Sequence, residues 1–212
     1  MNHSSNAGGG VSYAYFRSAI VATAGKSFQE GEQVFITYGN QSNDRLLQFY
    51  GFVEEDNPND TFVICNAVSK IRRQGIPGAD FTSPRLQWLQ AQRKRRDAEE
   101  IVFTSRGLAP ASAAALRALV ASDDEFESRQ AGGQDALGQP LGGSSELLIR
   151  QVALSLAEDE LSSSEGAADS SEEATADSSL TAALIHQFWH QKRKVLMKAI
   201  SRLRQGVERL ET

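Results

Sequence analysis

Apolar positions along the chain repeat with two different periods. In residues 1–60 the β-prone runs SYAYF and SAIVATA precede EQVFITYG, where Val34, Ile36 and Tyr38 alternate with Phe35 and Thr37. A period of two puts successive side chains on opposite faces of a strand. Gly31 before that run suits a tight turn, and Gly39 after it suits a positive φ. NDRLLQFYGF then predicts a short helix stopped at Gly51. NPND at 57–60 predicts a turn, and TFVICNAV predicts a returning strand. Cys65 within that strand is expected to be a small buried apolar residue.

From about Phe81 the period lengthens. SPRLQWLQAQRKRRDAEEIVF opens with Ser83 and Pro84, a favourable helix start. APASAAALRALVAS predicts a second helix with Leu116, Leu119 and Val120 on one side. SSELLIRQVALSLAEDEL predicts a third, capped by Ser144 or Ser145, with Leu148, Val152 and Leu156 on one face. The last helix is expected from Leu180 to about Leu210. Its Leu196, Ile200, Leu203, Val207 and Leu210 form a packing seam, and at 1.5 Å per residue it reaches roughly 45 Å. A Gly-rich stretch at 129–145 and a Ser/Glu/Ala stretch at 162–179 interrupt the helices. Both are expected to be mobile, the second because it has too little apolar surface to bury. The pattern predicts an α+β fold, with a small β-rich part over 1–60 and a helical domain over 61–212.

Composition narrows the classes. The 212 residues are 40% hydrophobic and 23% charged, enough apolar content for a buried core. No run approaches the ~20 apolar residues that span a bilayer, and no secretory leader is visible. A single cysteine excludes an internal disulfide and a Cys-rich zinc site. The net charge of −5 is uneven: residues 162–180 carry five acids and no base, and 186–204 carry six Lys or Arg and no acid. Basic runs at Arg93, Lys94, Arg95, Arg96 and at Lys192, Arg193, Lys194 raise nucleic-acid binding. No nucleic-acid fold accompanies them, and they read as solvated helix faces. His186 and His190 stand four apart, as metal ligands on a helix do. No acidic third ligand is nearby, so no metal site is expected.

Candidate chemistry concentrates at the end of the alternating run. Tyr38 places a phenol at the rim of a sheet, where it can donate or accept a hydrogen bond and orient an amine. Tyr50 and Phe52 flank the Gly51 corner. Their rings either fill a small β-core or wall a site for a cationic group or a long lysine side chain.

The order of motifs bears on that choice. NHS at 2–4, then GEQVFITYG, SND.LL..YGF and EDNPND, resembles the C-terminal half of a SET domain. More narrowly it is similar to the Rubisco large-subunit methyltransferase subclass, whose members methylate protein lysine, or in one branch histidine, with S-adenosylmethionine. RGLAPASAAALRALVAS and FWHQKRKVLMKAISRL resemble that subclass's helical substrate-binding domain. The resemblance implies that Asn2 and His3 belong to the threaded core and contact the methyl donor, and that Tyr38 is the catalytic tyrosine. It implies that Tyr50 and Phe52 line the donor and the substrate channel. Ser42 and Asn43 match the Ser-Asn before the short helix and read as cap and turn. Gln41 stands where several relatives carry a basic residue.

The resemblance further implies that the earlier SET segment, with its Gly-x-Gly donor loop, is missing, and that AGGG at 7–10 does not replace it. The 212 residues then correspond to a C-terminal portion of a larger enzyme, with weak or absent activity alone. The alternative is an inactive SET remnant acting as a protein-binding module. The expected partner is a protein substrate, neither nucleic acid nor membrane. The compartment stays open between chloroplast and cytoplasm or nucleus.

Overall fold

The computed structural model describes residues 2–76, 79–91, 100–131, 136–168 and 179–211. Two units separate, one formed by Met1–Asp60 with Leu180–Gln191 and the other by Thr61–Ser179 with Lys192–Thr212.

In the first unit, β1 (Asn2–His3) is followed by a hairpin of β2 (Gly10–Ala14) and β3 (Ala19–Thr23), then β4 (Phe35–Ile36) and α1 (Asn43–Tyr50). β1 and β4 pair in parallel, with Asn2 opposite Phe35 and His3 opposite Ile36. The expected strand EQVFITYG thus shrinks to two paired residues, because its partner strand is only two residues long. Gly39 takes the positive φ expected of it (90°), and Gly51 (φ 72°) stops α1 as expected, donating its N–H to the Leu47 carbonyl. The AGGG run also has a local explanation. A Cβ on Gly9 would lie 2.3 Å from the Thr23 carbonyl oxygen, and one on Gly25 would lie 2.1 Å from the Ala7 oxygen. Backbone passes against backbone at the base of the hairpin, and only glycine fits.

The hairpin pairs Val11 with Ala22 and Tyr13 with Ile20, so these side chains share one face. That face is open: Tyr13 is 57% exposed, Ile20 76%, and Phe16 at the turn fully exposed. Among the described residues, the buried apolar side chains of this unit are Ile36, Leu46 and Val53. His3, Asn43, Asn57, Asp60 and Gln191 are buried beside them. Hydrogen bonds therefore carry an unusual share of the cohesion here.

The second unit comprises β5 (Thr61–Ile64), α2 (Ala67–Gln74), α3 (Ser83–Ala91), β6 (Ile101–Thr104), β7 (Gly107–Leu108), α4 (Pro110–Val120), α5 (Asp123–Ala131), α6 (Gly143–Ala168) and the part of α7 (Ser179–Glu211) from Lys192 onward. β5, β6 and β7 form an antiparallel sheet, with Phe62 opposite Phe103 and Ile64 opposite Ile101. These four side chains are buried. They meet Leu116 and Leu119 of α4, Val152 and Leu156 of α6, and Leu196, Ile200 and Leu203 of α7 in one core. The fold class is α+β with a helical C-terminal part.

Several local expectations are corrected. TFVICNAV is a strand only to Ile64; Asn66 takes a left-handed conformation (φ 54°) and Ala67 starts a helix. Cys65 is exposed, because it follows the inward Ile64 at the point where the strand ends. The Ile101–Phe103 stretch is strand rather than helix, since Ile101 and Phe103 find cross-strand partners in β5. Residues 92–99, which include Arg93, Lys94, Arg95 and Arg96, lie outside the described residues.

The Gly-rich stretch is shortened by helices at both ends. α5 carries three acids in its first turn, where the helix dipole favours them. Ser122 and Glu125 form a reciprocal capping box: the Ser122 N–H donates to Glu125 Oε2 at 3.1 Å, and the Glu125 N–H donates to Ser122 Oγ at 3.3 Å. Ser144 or Ser145 is expected to cap α6, but the helix starts at Gly143, before both, and the Ser145 hydroxyl donates to Glu125 at 2.7 Å. α6 also continues through Ala168 into the low-complexity stretch, since helix propagation adds one backbone bond per residue without needing a buried face. Residues 132–135 and 169–178 lie outside the described residues. Of the seam on α7, Leu196, Ile200 and Leu203 are buried, Val207 is half-buried and Leu210 is exposed.

Two buried arginines brace this unit. Arg85 donates to the Ala118 carbonyl at 2.9 Å, pairs with Asp80 and Asp123, and lies over the Phe126 ring. Arg117 pairs with Glu146 at 2.7 Å and donates to the Leu137 and Gly138 carbonyls. Burial alone would raise the Glu146 carboxyl. Hydrogen bonds from Arg117 and the Leu141 N–H, with the charges of Arg117 and Arg150, outweigh that and hold it below the usual range.

Two outcomes follow for stability. Phe103→Ala, at a fully buried position, should cost about 3–5 kcal/mol in denaturant unfolding, whereas Phe16→Ser should shift it by less than about 0.5 kcal/mol. A depressed folded-state pKa stabilises above the unfolded value and is lost as pH falls through the folded value. Glu146→Gln should therefore destabilise by roughly 3 kcal/mol at neutral pH, through an unpaired buried Arg117. The gap to the parent protein should narrow below pH of about 4, near the ordinary glutamate value. A gap constant down to pH of about 2 would contradict this linkage.

Candidate active site

Four rings from three separate segments meet in the first unit. His3 comes from β1, Tyr38 from just after β4, Tyr50 from the last residue of α1, and Phe52 from just past the Gly51 cap. The His3 and Tyr38 ring centres are 4.9 Å apart, and Tyr38 and Tyr50 4.8 Å apart. Phe52 closes the group at 5.9 Å from His3 and 6.4 Å from Tyr50. All are tilted contacts, within the range where aromatic pairs attract. His3 is buried, Tyr38 and Phe52 are half-buried, and Tyr50 is half exposed. The cluster thus grades from the interior outward. Tyr38, Tyr50 and Phe52 each keep part of their surface exposed, which a wholly internal core would not.

Tyr38 is held by its backbone. Its N–H donates to His3 Nδ1 at 3.0 Å, and its carbonyl accepts from Gln41 Nε2 at 3.1 Å. Gln41 in turn accepts from Arg45 Nε at 2.6 Å. A basic residue at position 41 could not accept that bond, so Arg45 and Gln41 here work as a pair.

Behind His3 stands a second polar layer. Ser5 Oγ lies 3.4 Å from His3 Nε2 and donates to Glu54 Oε2 at 2.5 Å, and the Ser5 N–H donates to Glu54 Oε1 at 2.7 Å. Glu54 Oε2 is itself 3.4 Å from His3 Nε2. Both ring nitrogens of His3 therefore face groups of the protein.

Asn43 lies at the centre of the supporting network and is fully buried. Its amide donates to the Glu54 carbonyl and to Asp60 Oδ2, each at 3.0 Å, and its Oδ1 accepts the Glu54 N–H at 2.9 Å. Its own N–H donates to Asp60 Oδ1 at 2.9 Å. Asn57 Nδ2 donates to the Gln41 carbonyl at 2.9 Å. Ser42 occupies the N-cap position of α1 but makes no side-chain cap bond. The carboxylate of Asp60 takes the free N–H at the helix start instead. Ser42 and Asn43 are thus not the simple cap and turn expected from their order.

The expected site residues divide accordingly. His3, Tyr38, Tyr50 and Phe52 are brought together. Asn2 is exposed and joins through the β1–β4 pairing rather than through the rings. Ser5, Glu54, Asn57 and Asp60 were not anticipated as partners. Asn57 and Asp60 sit inside the quoted EDNPND, while Ser5 and Glu54 lie one residue outside NHS and EDNPND, and alternation and turn patterns say nothing of which buried side chain an acid will meet. His186 and His190 are exposed, and among the described residues no group of three or more His, Cys, Asp or Glu is placed to hold a metal ion. Of the second basic run, Lys192 is buried and donates to the Thr61 carbonyl at 2.7 Å, which makes it a poor phosphate contact. No described helix is long and apolar enough to cross a membrane.

No protein-family profile and no curated protein sequence matches the chain. Solved structures do. A Rubisco LSMT bound to sinefungin and monomethyllysine matches with a TM-score of 0.57 and 19% identity, over 100% of this chain and 49% of that one. A Rubisco LSMT bound to AdoMet matches with 0.57 and 18% over the same shares. The SET domain of LSMT bound to lysine and AdoHcy matches with 0.52 and 18%, again over 100% and 49%. The chain spans about half the length of these structures, and its similarity to them shows a SET-like fold.

Proposed function

We propose that this chain serves S-adenosylmethionine-dependent methylation of a protein side-chain amine, with lysine as the acceptor, in the manner of the Rubisco large-subunit methyltransferases. The observation that carries this reading is the ring cluster of His3, Tyr38, Tyr50 and Phe52 around a backbone-anchored tyrosine. The SET-like fold supports it. S-adenosylmethionine, when bound, supplies a methyl group on cationic sulfur, which an amine lone pair takes as the C–S bond breaks, the nitrogen then losing a proton.

The residues present fit such a group. Aromatic rings attract a cation, and Tyr38, Tyr50 and Phe52 are clustered and only partly buried. These three would hold the donor's reactive end, with Asn2 exposed at the adjoining β1 edge. His3 contributes by buttressing, because both of its nitrogens face protein groups. The Tyr38 hydroxyl would orient the amine, and the rings would exclude water from the reacting atoms.

A second reading, an inactive SET-like module that docks a protein, is favoured by the open apolar face of the β2–β3 hairpin. Calorimetric titration with S-adenosylmethionine separates the two. Saturable binding at micromolar concentrations, followed by label transfer from the donor's methyl group to protein lysine, supports the enzyme. Tyr38→Phe keeps the ring and removes the hydroxyl. It should leave donor affinity within about twofold and slow transfer by roughly 10²-fold or more. A folded chain that binds neither S-adenosylmethionine nor sinefungin, by itself or with the earlier SET segment supplied, selects the second reading.

A further inference from the structure

We propose that Glu54, acting with Ser5, is a positioning residue that fixes the tautomer of His3 and through it the placement of Tyr38. This deepens the methyltransferase reading by naming how its tyrosine is held, and its first test does not depend on methyl transfer.

The bond from the Tyr38 N–H to His3 has a direction that cannot be reversed. A backbone N–H is always a donor. The Tyr38 N–H points at His3 Nδ1 at 3.0 Å, so Nδ1 must be the unprotonated, accepting nitrogen. A neutral imidazole carries one proton, which then sits on Nε2. Nε2 faces two oxygens, Ser5 Oγ and Glu54 Oε2, both at 3.4 Å. Ser5 has one hydroxyl proton. Its shortest acceptor is Glu54 Oε2 at 2.5 Å, against 3.3 Å to Asn57 Oδ1. With that proton committed, Ser5 Oγ can only accept from His3. Glu54 Oε1 meanwhile accepts the Ser5 N–H at 2.7 Å. The Nε2–H thus faces two accepting oxygens, and the directions along the chain from Glu54 to Tyr38 are set by its two ends, a carboxylate that only accepts and a backbone amide that only donates.

The other tautomer would place a hydrogen on Nδ1 against the Tyr38 N–H and would leave Nε2 as an acceptor facing a carboxylate. The first clash is removed only by moving Tyr38; the second is removed by moving the 52–54 corner or by turning the Ser5 hydroxyl to Nε2, which breaks its 2.5 Å bond to Glu54. The corner is itself pinned, since the Glu54 N–H and carbonyl both bond the buried Asn43 side chain. Side-chain chemistry at Glu54 is thereby converted into a backbone position at Tyr38.

Glu54→Gln preserves shape but replaces one accepting oxygen by an NH₂ donor, so one of the Ser5 donors meets another donor. Ser5→Ala removes the hydroxyl link alone. Long-range ¹H–¹⁵N correlation spectra of the full chain read the tautomer directly, and the chain has three histidines, of which His186 and His190 are exposed. The expected result is an Nε2–H tautomer at His3 near neutral pH, with a Tyr38 amide shifted downfield by its bond to Nδ1. In Glu54→Gln and in Ser5→Ala the His3 signals should move toward a tautomer mixture and the Tyr38 amide should move upfield, with His186 and His190 unchanged. Glu54→Asp, which keeps two accepting oxygens, should restore the parent pattern in part. If Glu54→Gln does not fold, Ser5→Ala decides. An Nδ1–H or doubly protonated His3 in the parent chain overturns the proposal. So does a Ser5→Ala chain whose His3 and Tyr38 signals are unmoved. If the spectra are as expected but no methyl transfer occurs with any donor-bound form, the positioning relay stands and the enzyme reading falls.

Discussion

The site depends on a side-chain amide with no access to water. Asn43 is fully buried in a unit whose described apolar core amounts to Ile36, Leu46 and Val53. A buried amide left unbonded costs about 1–3 kcal/mol per group, so the surrounding chain must come to it. Glu54 does so with both backbone groups, and Asp60 with both carboxylate oxygens. These bonds tie the start of α1, the corner after Gly51 and the turn at 57–60 into one piece. The corner carries Phe52 and Glu54, and the start of α1 lies next to Gln41, which holds the Tyr38 carbonyl. The aromatic cluster is therefore a consequence of polar pairing more than of apolar collapse.

The two units meet their entropy cost by different means. In the second, a three-stranded sheet and parts of α2, α3, α4, α6 and α7 share one apolar cluster running from Phe62 to Leu203. Burial of that kind is non-directional and tolerates conservative exchange. In the first, direction matters at every contact, because hydrogen bonds have acceptors and donors that cannot be swapped. Such networks favour a single geometry when every member is satisfied. No buried side-chain nitrogen or oxygen among the described residues lacks a partner. A unit held in this way suits the placing of one phenol better than a loosely packed apolar corner would.

The extra residues of α7 show how the same sequence pattern can serve two ends. Its apolar seam at Leu196, Ile200 and Leu203 packs in the second unit. Earlier, the same helix offers polar contacts within the first: Gln187 Nε2 donates to the Val53 carbonyl at 3.4 Å, and Gln191 Oε1 accepts the Asp56 N–H at 3.1 Å. Both bonds land on the corner segment that follows Phe52.

Much of this was legible in the sequence, and the misses share a cause. The period-three-to-four stripes on α4, α6 and α7 found their buried faces, because a helix makes its own hydrogen bonds and needs only one apolar side. Glycines at 39 and 51 were readable for the same local reason, a positive φ. Motif order drew attention to His3, Tyr38, Tyr50 and Phe52 before any contact among them was known. Strand length was misread at 32–39 and at 61–68, because a strand exists only as far as its partner runs. The first residues of the low-complexity stretch, 162–168, were misread because propagation along an existing helix needs no composition of its own kind. The sequence by itself determined the helical faces, the turns and the order of candidate residues, all of which rest on interactions within a few positions. Only the tertiary structure decided that Glu54, Ser5 and His3 would meet, or that Asp60 would cap α1 in place of Ser42. Those pairings join residues up to 51 positions apart, from His3 to Glu54, and no local preference encodes which donor a distant acceptor will find.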